Sequence, residues 1–218
     1  MCYFWNYQIK YSILCHLFYN TAQYEMALKY NAIAINENNN KDKRGVGAAL
    51  SNRGMILHKV GKEKEAIDCF YEALAIFKEI DFSFGIATSY NNIGYTLGLS
   101  GKIIEGIDIL NNGLDYVEAN SFKEARLCKG YLEKSRGELN VILGDLKAAV
   151  TNFNAAIEIF EVGYKAEEAE ALMHKGKLYR TVGRTEEGTR ILCRARNLAK
   201  KVGYSDVVEK CSILLSDS

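Results

Sequence analysis

The chain has 218 residues, of which 48% are hydrophobic and 25% are charged, a balance typical of a globular protein. Its 28 Lys and Arg residues and 27 Asp and Glu residues leave a net charge of +1. This near-neutral charge argues against direct binding of nucleic acid, which usually requires a basic face. No apolar run approaches the roughly 18 residues that a membrane-spanning helix needs, so the sequence predicts no membrane association.

The cysteine usage predicts reduced thiols. The six cysteines are Cys2, Cys15, Cys69, Cys128, Cys193 and Cys211. No two of them form a C-x-x-C pair, and most fall at apolar or small positions of a helical pattern, so we expect buried thiols in a cytosolic protein. The N-terminal apolar run lacks a small-x-small cleavage site and does not indicate a secretory signal peptide. The predicted location is therefore the cytoplasm.

The first predicted element is a helical hairpin over residues 7–38, with helices over about 7–20 and 24–37. It follows the aromatic residues Tyr3, Phe4 and Trp5, and it lacks the polar capping helix that terminal repeats of a solenoid usually carry. Three alternatives stay open for this uncapped end. The aromatic residues fold back over it, the chain is a piece of a longer protein, or the first hairpin self-associates.

Four more hairpins and a final helix follow the polar linker of residues 38–44. The predicted hairpins cover residues 45–80, 84–119, 122–163 and 166–202, and the final capping helix covers residues 205–216. Ser121 and Glu124 have the spacing of a capping box, which predicts a long helix over 122–143. Asp145 and Thr185 are the predicted N-caps of the second helices in the fourth and fifth hairpins.

One pattern of small and large residues recurs in these hairpins. In the second hairpin it consists of Gly54, Gly61, Ala66, Phe70 and Ala73, at offsets of 7, 12, 16 and 19 from the first glycine. The equivalent sets are Gly94, Gly101, Gly106, Leu110 and Gly113; Gly137, Gly144, Ala149, Phe153 and Ala156; Gly176, Gly183, Gly188, Leu192 and Ala195; and, more weakly, Cys15, Ala22, Ala27, Asn31 and Ala34. The first members are 39, 40, 43 and 39 residues apart, a period that indicates a solenoid.

Each position of this pattern has a physical interpretation. A glycine inside a helix costs roughly 1 kcal/mol relative to alanine, so its recurrence predicts close contact between helices. The glycine seven residues later ends the first helix and is expected in the left-handed conformation. The small residues of the second helix leave room for the first helix to cross, and Phe70 or its equivalent fills the space between them.

These residues resemble the tetratricopeptide repeat family in its longer variant, over about residues 7–203. The resemblance implies an all-α, right-handed superhelical solenoid of about five hairpins with a C-terminal capping helix, forming a single array over residues 1–218. The chain departs from the family at two positions. Where the family has an aromatic residue near the start of the first helix, the five copies have Tyr11, Leu50, Tyr90, Glu133 and Leu172, so the fourth copy is irregular there. The family's proline at the end of the second helix is absent, because the chain has no proline.

No catalytic, metal or cofactor site is predicted. The three histidines, His16, His58 and His174, lie in different hairpins, and no pair has the spacing of metal ligands. Phosphate-binding glycine motifs and a Cys–His nucleophile pair are also missing. The acidic residues Glu167, Glu168 and Glu170 are interpreted as part of a solvated helix face. An enzymatic function is therefore not predicted.

The remaining candidate site is the inner wall of the superhelix, formed by the first helices. The predicted groove residues are Asn52, Met55, Asn91, Asn92, Tyr95, Lys134, Glu138, His174 and Lys177. Four further predicted wall positions are Ser51, His58, Ser135 and Met173. Because an Asn amide both donates and accepts, it can hold the backbone of an extended peptide, as in peptide-binding members of the family. The alternative is that these asparagines only solvate the face. Glu63 and Lys64, on a second helix, are expected to lie outside the site.

The predicted function is a non-enzymatic module that binds a protein or peptide and acts as a scaffold or adaptor. The alternative is the sensor part of a signalling protein, such as a peptide-responsive transcription regulator or a repeat-bearing kinase or cyclase, with its effector domain outside this chain. The two-carboxylate clamp of co-chaperone members is not expected. The positions that would hold its basic residues are Ile9, Ala48, Thr88 and Tyr131.

Overall fold

The computed structural model describes residues 2–38 and 42–216, and the side chains of residues 11–36 and 42–216. This described part consists of eleven α-helices and contains no strand, which confirms the predicted all-α class. The helices are α1 (Cys2–Asn20), α2 (Tyr24–Asn38), α3 (Lys43–Lys59), α4 (Glu63–Glu79), α5 (Ser83–Leu99), α6 (Ile103–Ala119), α7 (Ala125–Leu143), α8 (Leu146–Glu161), α9 (Lys165–Thr181), α10 (Thr185–Lys201) and α11 (Ser205–Ser216).

The chain divides into two compact units, Met1–Tyr116 and Val117–Ser218. In the first unit α4 packs against both α3 and α5, and the large residues Phe70 and Phe77 lie at the centre of the core. In the second unit α7 pairs with α8 and α9 with α10, while α11 packs on α10. Val207 and Cys211 of α11 are buried in that core, as expected for the final helix. The extent of a single array over residues 1–218 stays a prediction.

The tight turns inside the hairpins have the predicted backbone conformation. Gly61, Gly101, Gly144 and Gly183 have φ values of +77°, +96°, +88° and +82°. Only glycine adopts this left-handed region without steric cost, so the prediction is confirmed in all four hairpins. In the first hairpin the equivalent Ala22 has a φ of +57°, and Asp81, between two hairpins, has a φ of +51°. This conformation is sterically unfavourable for Ala22 and Asp81, because a Cβ atom lies too close to the following carbonyl oxygen.

The glycines inside the first helices mark close contacts, as predicted. A Cβ atom added to Gly94 would lie 2.7 Å from the carbonyl oxygen of Gly106, and one added to Gly54 would lie 2.5 Å from Cε1 of Phe70. Both distances are shorter than real Cβ contacts, so neither site accepts a side chain without movement. Phe70 is buried, and so are its equivalents Leu110, Phe153 and Leu192.

The first hairpin uses a polar residue in place of this large apolar one. Asn31 is buried, and its Nδ2 donates a hydrogen bond to the carbonyl oxygen of Ala49 at 2.8 Å. Its neighbours in the core include Cys15 and Ala27 at the predicted small positions. A hydrogen bond to the next hairpin therefore takes the place of apolar packing, which explains why this copy of the pattern is weak in the sequence.

Several predicted helix boundaries were wrong. Helix α1 begins at Cys2 rather than near residue 7, and α3 begins at Lys43 inside the predicted linker. Helix α7 begins at Ala125, and Glu124 precedes it without any side-chain cap, so the capping box does not form. Arg184, not Thr185, precedes α10. The N-cap at Asp145 is confirmed, since its carboxylate accepts from the backbone N–H of Ala148 at 2.9 Å. The side chains of residues 3–5 lie outside the described part.

Candidate binding surfaces

We call the predicted wall residues of the first unit the N-terminal wall. They are Ser51, Asn52, Met55, His58, Asn91, Asn92 and Tyr95. Helices α3 and α5, which carry them, contact each other. The rings of His58 and Tyr95 meet edge to face with 6.3 Å between centroids, so side chains of the two helices share one surface. All seven residues are half-buried, as expected for positions beside the core.

Apolar and amide groups have different roles in the N-terminal wall. Met55 packs against the core of the first unit and forms the floor of this surface. Asn91 lies one helical turn before Tyr95, and its Oδ1 is buried without any hydrogen-bond partner. A buried acceptor without a partner destabilises the unbound protein by roughly 1–3 kcal/mol, so such groups in folded proteins require an explanation.

His58 forms a pair with a residue that was expected to lie outside the site. Its Nδ1 is 2.7 Å from Oε2 of Glu63, in the first turn of α4. Both side chains are partly buried. Glu63 therefore contacts a predicted wall residue, because the tight turn between α3 and α4 brings the start of the second helix back to the first. The neighbouring Lys64 is exposed, as expected.

We call the predicted wall residues of the second unit the C-terminal wall. They are Lys134, Ser135, Glu138, Met173, His174 and Lys177. Ser135 and Met173 are buried, so they belong to the packing between helices rather than to an open surface. The other four lie on α7 and α9. The structure thus places five of the nine predicted groove residues in the first unit and four in the second.

The C-terminal wall is a set of charge pairs. Nζ of Lys134 lies 2.8 Å from Oε2 of Glu170, and Nε2 of His174 lies 3.8 Å from Oε1 of Glu138. His174 also stacks on Phe153 with 6.1 Å between ring centroids. Lys177 is exposed at the edge of this group. The charges of Lys134 and Glu170 therefore compensate each other.

The protonation of these groups follows from burial and from their partners. Burial of His174 lowers the pKa of its imidazole, although the nearby Glu138 acts in the opposite direction. Burial alone would raise the pKa of Glu170, but the charge and hydrogen bond of Lys134, with His174, lower it. Glu170 is therefore ionised at neutral pH, and His174 favours its neutral form.

The acidic residues at the start of α9 do not form the predicted solvated face. Glu168 is only 2% exposed, and it accepts from Lys165 at 2.8 Å and from Arg194 at 2.7 Å. Glu167 accepts a hydrogen bond from the hydroxyl of Tyr131 at 2.9 Å. This interpretation was wrong because Arg194 and the hydroxyl of Tyr131 come from other helices, which the local sequence does not show.

The irregular position of the fourth copy is explained by a buried polar network. Glu133, where the family has an aromatic residue, is buried. Its carboxylate accepts from Nδ2 of Asn152 at 2.8 Å and from Arg136 at 3.0 Å. Asn152 in turn accepts from Nδ2 of Asn140 at 2.9 Å. The sequence analysis missed this network. The combination of Glu133 with two asparagines at buried helix positions is the available signal.

The described cysteines are free thiols, and Cys15, Cys128 and Cys211 are buried. Burial raises the pKa of Cys128 to about 12 and that of Cys211 to about 11, so both are protonated and unreactive at neutral pH. Within residues 11–36 and 42–216, no group of three or more His, Cys, Asp or Glu side chains could hold a metal ion. Among the helices that the structure describes, none is both long and apolar enough to span a membrane.

Comparisons with known proteins support the repeat prediction. The family model of the tetratricopeptide repeat matches residues 45–126, which include the second and third hairpins. No curated protein matches the sequence. A Rap protein complexed with Competence and Sporulation Factor has a TM-score of 0.83 at 14% identity. The match covers 94% of this chain and 57% of that protein, so this chain spans little more than half of its length.

Two further solved structures have the same fold. The apo form of RapI has a TM-score of 0.73 at 15% identity, covering 97% of this chain and 75% of that one. BtubC of P. vanneervenii has a TM-score of 0.68 at 16% identity, covering 88% and 80%. At these identities the likeness shows the fold alone. It confirms the predicted class, a solenoid of helical hairpins.

Proposed function

We propose that this chain, in which residues 45–126 match the tetratricopeptide repeat, is a non-enzymatic module that binds a protein or peptide through its first helices. The observation that carries this proposal is the N-terminal wall. There, half-buried amide, aromatic and thioether groups of α3 and α5 share one surface, and the Oδ1 of Asn91 has no partner. An extended peptide has backbone N–H groups that can satisfy such an oxygen.

The second unit carries a candidate surface of its own, the C-terminal wall. Lys134, Glu138, His174 and Lys177 offer ionisable groups rather than amides. Lys134 lies 2.8 Å from Glu170, and His174 lies 3.8 Å from Glu138. A partner would have to displace or extend these pairs. We therefore expect the N-terminal wall to bind a partner more tightly than the C-terminal wall does.

The proposal is tested by capturing a partner from the native host and measuring its affinity by titration calorimetry. The double variant Asn91→Ala with Asn92→Ala should bind more weakly, since each lost hydrogen bond is worth about 0.5–1.5 kcal/mol. The matched control is Lys64→Ala with Asp68→Ala on the exposed face of α4. Equal affinities for the wild type and the asparagine variant would move the site away from the N-terminal wall.

A second candidate is the sensor part of a larger cytoplasmic signalling protein. The observation in its favour is the likeness to the Rap protein complexed with Competence and Sporulation Factor, of which this chain spans 57%. In this case the repeats would respond to a peptide, and an effector domain would carry the signal onward. Sequencing the gene upstream of Met1 tests this candidate, because a DNA-binding or catalytic domain in the same reading frame would support it.

Self-association through the first hairpin is also proposed. Ile13 and Leu17 of α1 are more than half exposed, at 59% and 54%. The positions equivalent to Leu17 in the second and fourth hairpins, Ile56 and Leu139, are buried. Sedimentation velocity of the wild type and of Leu17→Lys tests this contact. A wild type that stays monomeric at all concentrations would contradict it.

A further inference from the structure

We propose that the N-terminal wall selects peptides that carry a basic side chain, above all an arginine, and that Glu63, His58 and Tyr95 hold this side chain. The inference rests on the proposed function, because it assumes that the wall binds a peptide. It narrows the ligand to one chemical class and names the residues that recognise it.

The charge of this surface favours a cation. The seven residues of the N-terminal wall include no Lys or Arg. The carboxylate of Glu63 contacts the wall residue His58, and its Oε2 lies 2.7 Å from Nδ1 of His58. With His58 neutral the pair carries one negative charge, and with His58 protonated it carries none. The pair is positive in neither state, so a ligand carboxylate finds no net counter-charge here, whereas an ammonium or guanidinium finds one when His58 is neutral.

The aromatic ring beside this pair suits a planar cation. The ring of Tyr95 lies edge to face with His58, 6.3 Å between centroids. A guanidinium can stack on an aromatic ring while its N–H groups donate to a carboxylate. The protein already uses this stacking within the first unit, where the guanidinium carbon of Arg44 lies 4.1 Å from the ring centroid of Phe82. An incoming arginine side chain would repeat that arrangement on the wall.

The amide oxygen of Asn91 also favours a ligand that donates hydrogen bonds. The Oδ1 of Asn91 has no partner, and it lies one turn from Tyr95 on the same face of α5. Arginine carries five N–H donors and no acceptor, so one side chain can bond to both a carboxylate and an amide oxygen. A rotation of the Asn91 side chain would turn its oxygen toward such a ligand.

The C-terminal wall does not offer the same site. Glu138 faces His174 much as Glu63 faces His58. However, the second carboxylate here, Glu170, is already paired with Lys134. A basic ligand would have to compete with Lys134, which lies 2.8 Å from Glu170, and with the exposed charge of Lys177 nearby. The preference for a basic side chain is therefore expected on the N-terminal wall and not on the other.

The test is a selection of short random peptides displayed on phage against the immobilised full chain. Sequences selected by the wild type should be enriched in Arg and Lys relative to the starting library. The Glu63→Gln variant should lose this enrichment. The matched control is Glu65→Gln, which removes the same charge from the same turn of α4, where Glu65 pairs with the exposed Lys62 at 3.1 Å.

A selected peptide is then compared with its citrulline counterpart, in which a neutral urea of the same shape replaces the guanidinium. We expect the wild type to bind the citrulline peptide about tenfold more weakly, the size of one charge-assisted hydrogen bond. The Glu63→Gln variant should bind both peptides alike. Asn91→Asp, which adds a carboxylate to the wall, should bind the arginine peptide more tightly than the wild type does.

The outcomes separate this inference from the proposed function. If no peptide is selected and no partner is captured, the proposed function itself fails. If peptides bind but show no basic enrichment, or if the enrichment survives Glu63→Gln, only the choice of a basic side chain is overturned. Equal loss of binding in Glu63→Gln and Glu65→Gln would show a general charge effect and would also overturn the assignment to the His58 and Glu63 pair.

Discussion

The two walls are carried by equivalent first helices, yet their polar groups are satisfied in different ways. On the N-terminal wall, Asn91 has an oxygen without a partner, and His58 pairs with Glu63. On the C-terminal wall, Lys134 and Glu170 compensate each other, and His174 faces Glu138. The comparison shows that the repeat fixes the packing of its helices while the wall positions vary, because a residue beside the contact does not affect how closely the helices approach.

The largest expected effect tests the separation between packing positions and wall positions. Gly94→Leu places a side chain where a Cβ would already lie 2.7 Å from the backbone of Gly106, so the helices must move apart. We expect a loss of at least about 1–3 kcal/mol in the free energy of unfolding. The control in the same helix is Asn92→Leu on the wall, which should change it by only about 0.5 kcal/mol. Chemical denaturation measures both variants, and similar losses would contradict the separation.

The second prediction concerns the buried polar network of the second unit. Glu133→Ala leaves the Nδ2 of Asn152 without its acceptor, a loss expected to cost roughly 1–3 kcal/mol in the free energy of unfolding. Asn152→Ala should cost a similar amount. The double variant should cost clearly less than the two single variants together, because both remove the same interaction. Strictly additive losses in a double-mutant cycle would show that the side chains of Glu133 and Asn152 do not stabilise each other.

The smallest expected effect is a pH dependence confined to the C-terminal wall. Burial lowers the pKa of His174 below its ordinary value, near 6.5, so the unfolded chain takes up a proton first as the pH falls. The stability of the folded protein should therefore be complete above about pH 6.5 and decrease as the pH falls toward the folded pKa. Glu138, Lys134, Glu170 and Lys177 are the charged groups that act on this histidine.

This pH dependence is measured by urea denaturation over a series of pH values. His174→Gln should flatten the decrease below about pH 6.5, whereas Met173→Leu, at the preceding buried position, should keep it. At lower pH a second decrease is expected in every variant that keeps the pair of Lys134 and Glu170. The lowered pKa of Glu170 means that its contribution is lost only as the pH falls through the folded value. Identical profiles for wild type and His174→Gln would contradict the assignment.

The packing of the hairpins could be predicted from the sequence because it depends on residues at fixed short separations. Gly54 and Phe70 meet within one hairpin, and the left-handed Gly61 ends its first helix, so a single period contains all the information. The exact helix ends were harder to predict. Residues such as Ser121 and Thr185 have the composition of caps, but the helices begin elsewhere and satisfy their ends without them.

The partners of the polar side chains could not be predicted, because they lie far apart in the sequence. Arg194 of α10 pairs with Glu168 of α9, and Asn152 of α8 donates a hydrogen bond to Glu133 of α7. The sequence around an acidic residue near the start of a helix looks the same whether the charge is solvated by water or paired with a cation from a distant part of the chain. For the same reason the sequence placed Asn91 on the wall but gave no sign that its oxygen would lack a partner.

The tight turns inside the hairpins also offer places for engineering. A Cβ added at Gly61, Gly101, Gly144 or Gly183 would meet nothing within 4 Å, so the space around these turns is open even though their backbone conformation is restricted. A fluorophore or a short affinity tag inserted beside Gly101 or Gly144 would project into solvent and leave the helix contacts intact. Two dyes placed at such turns would report distances inside the molecule without a single substitution on either wall.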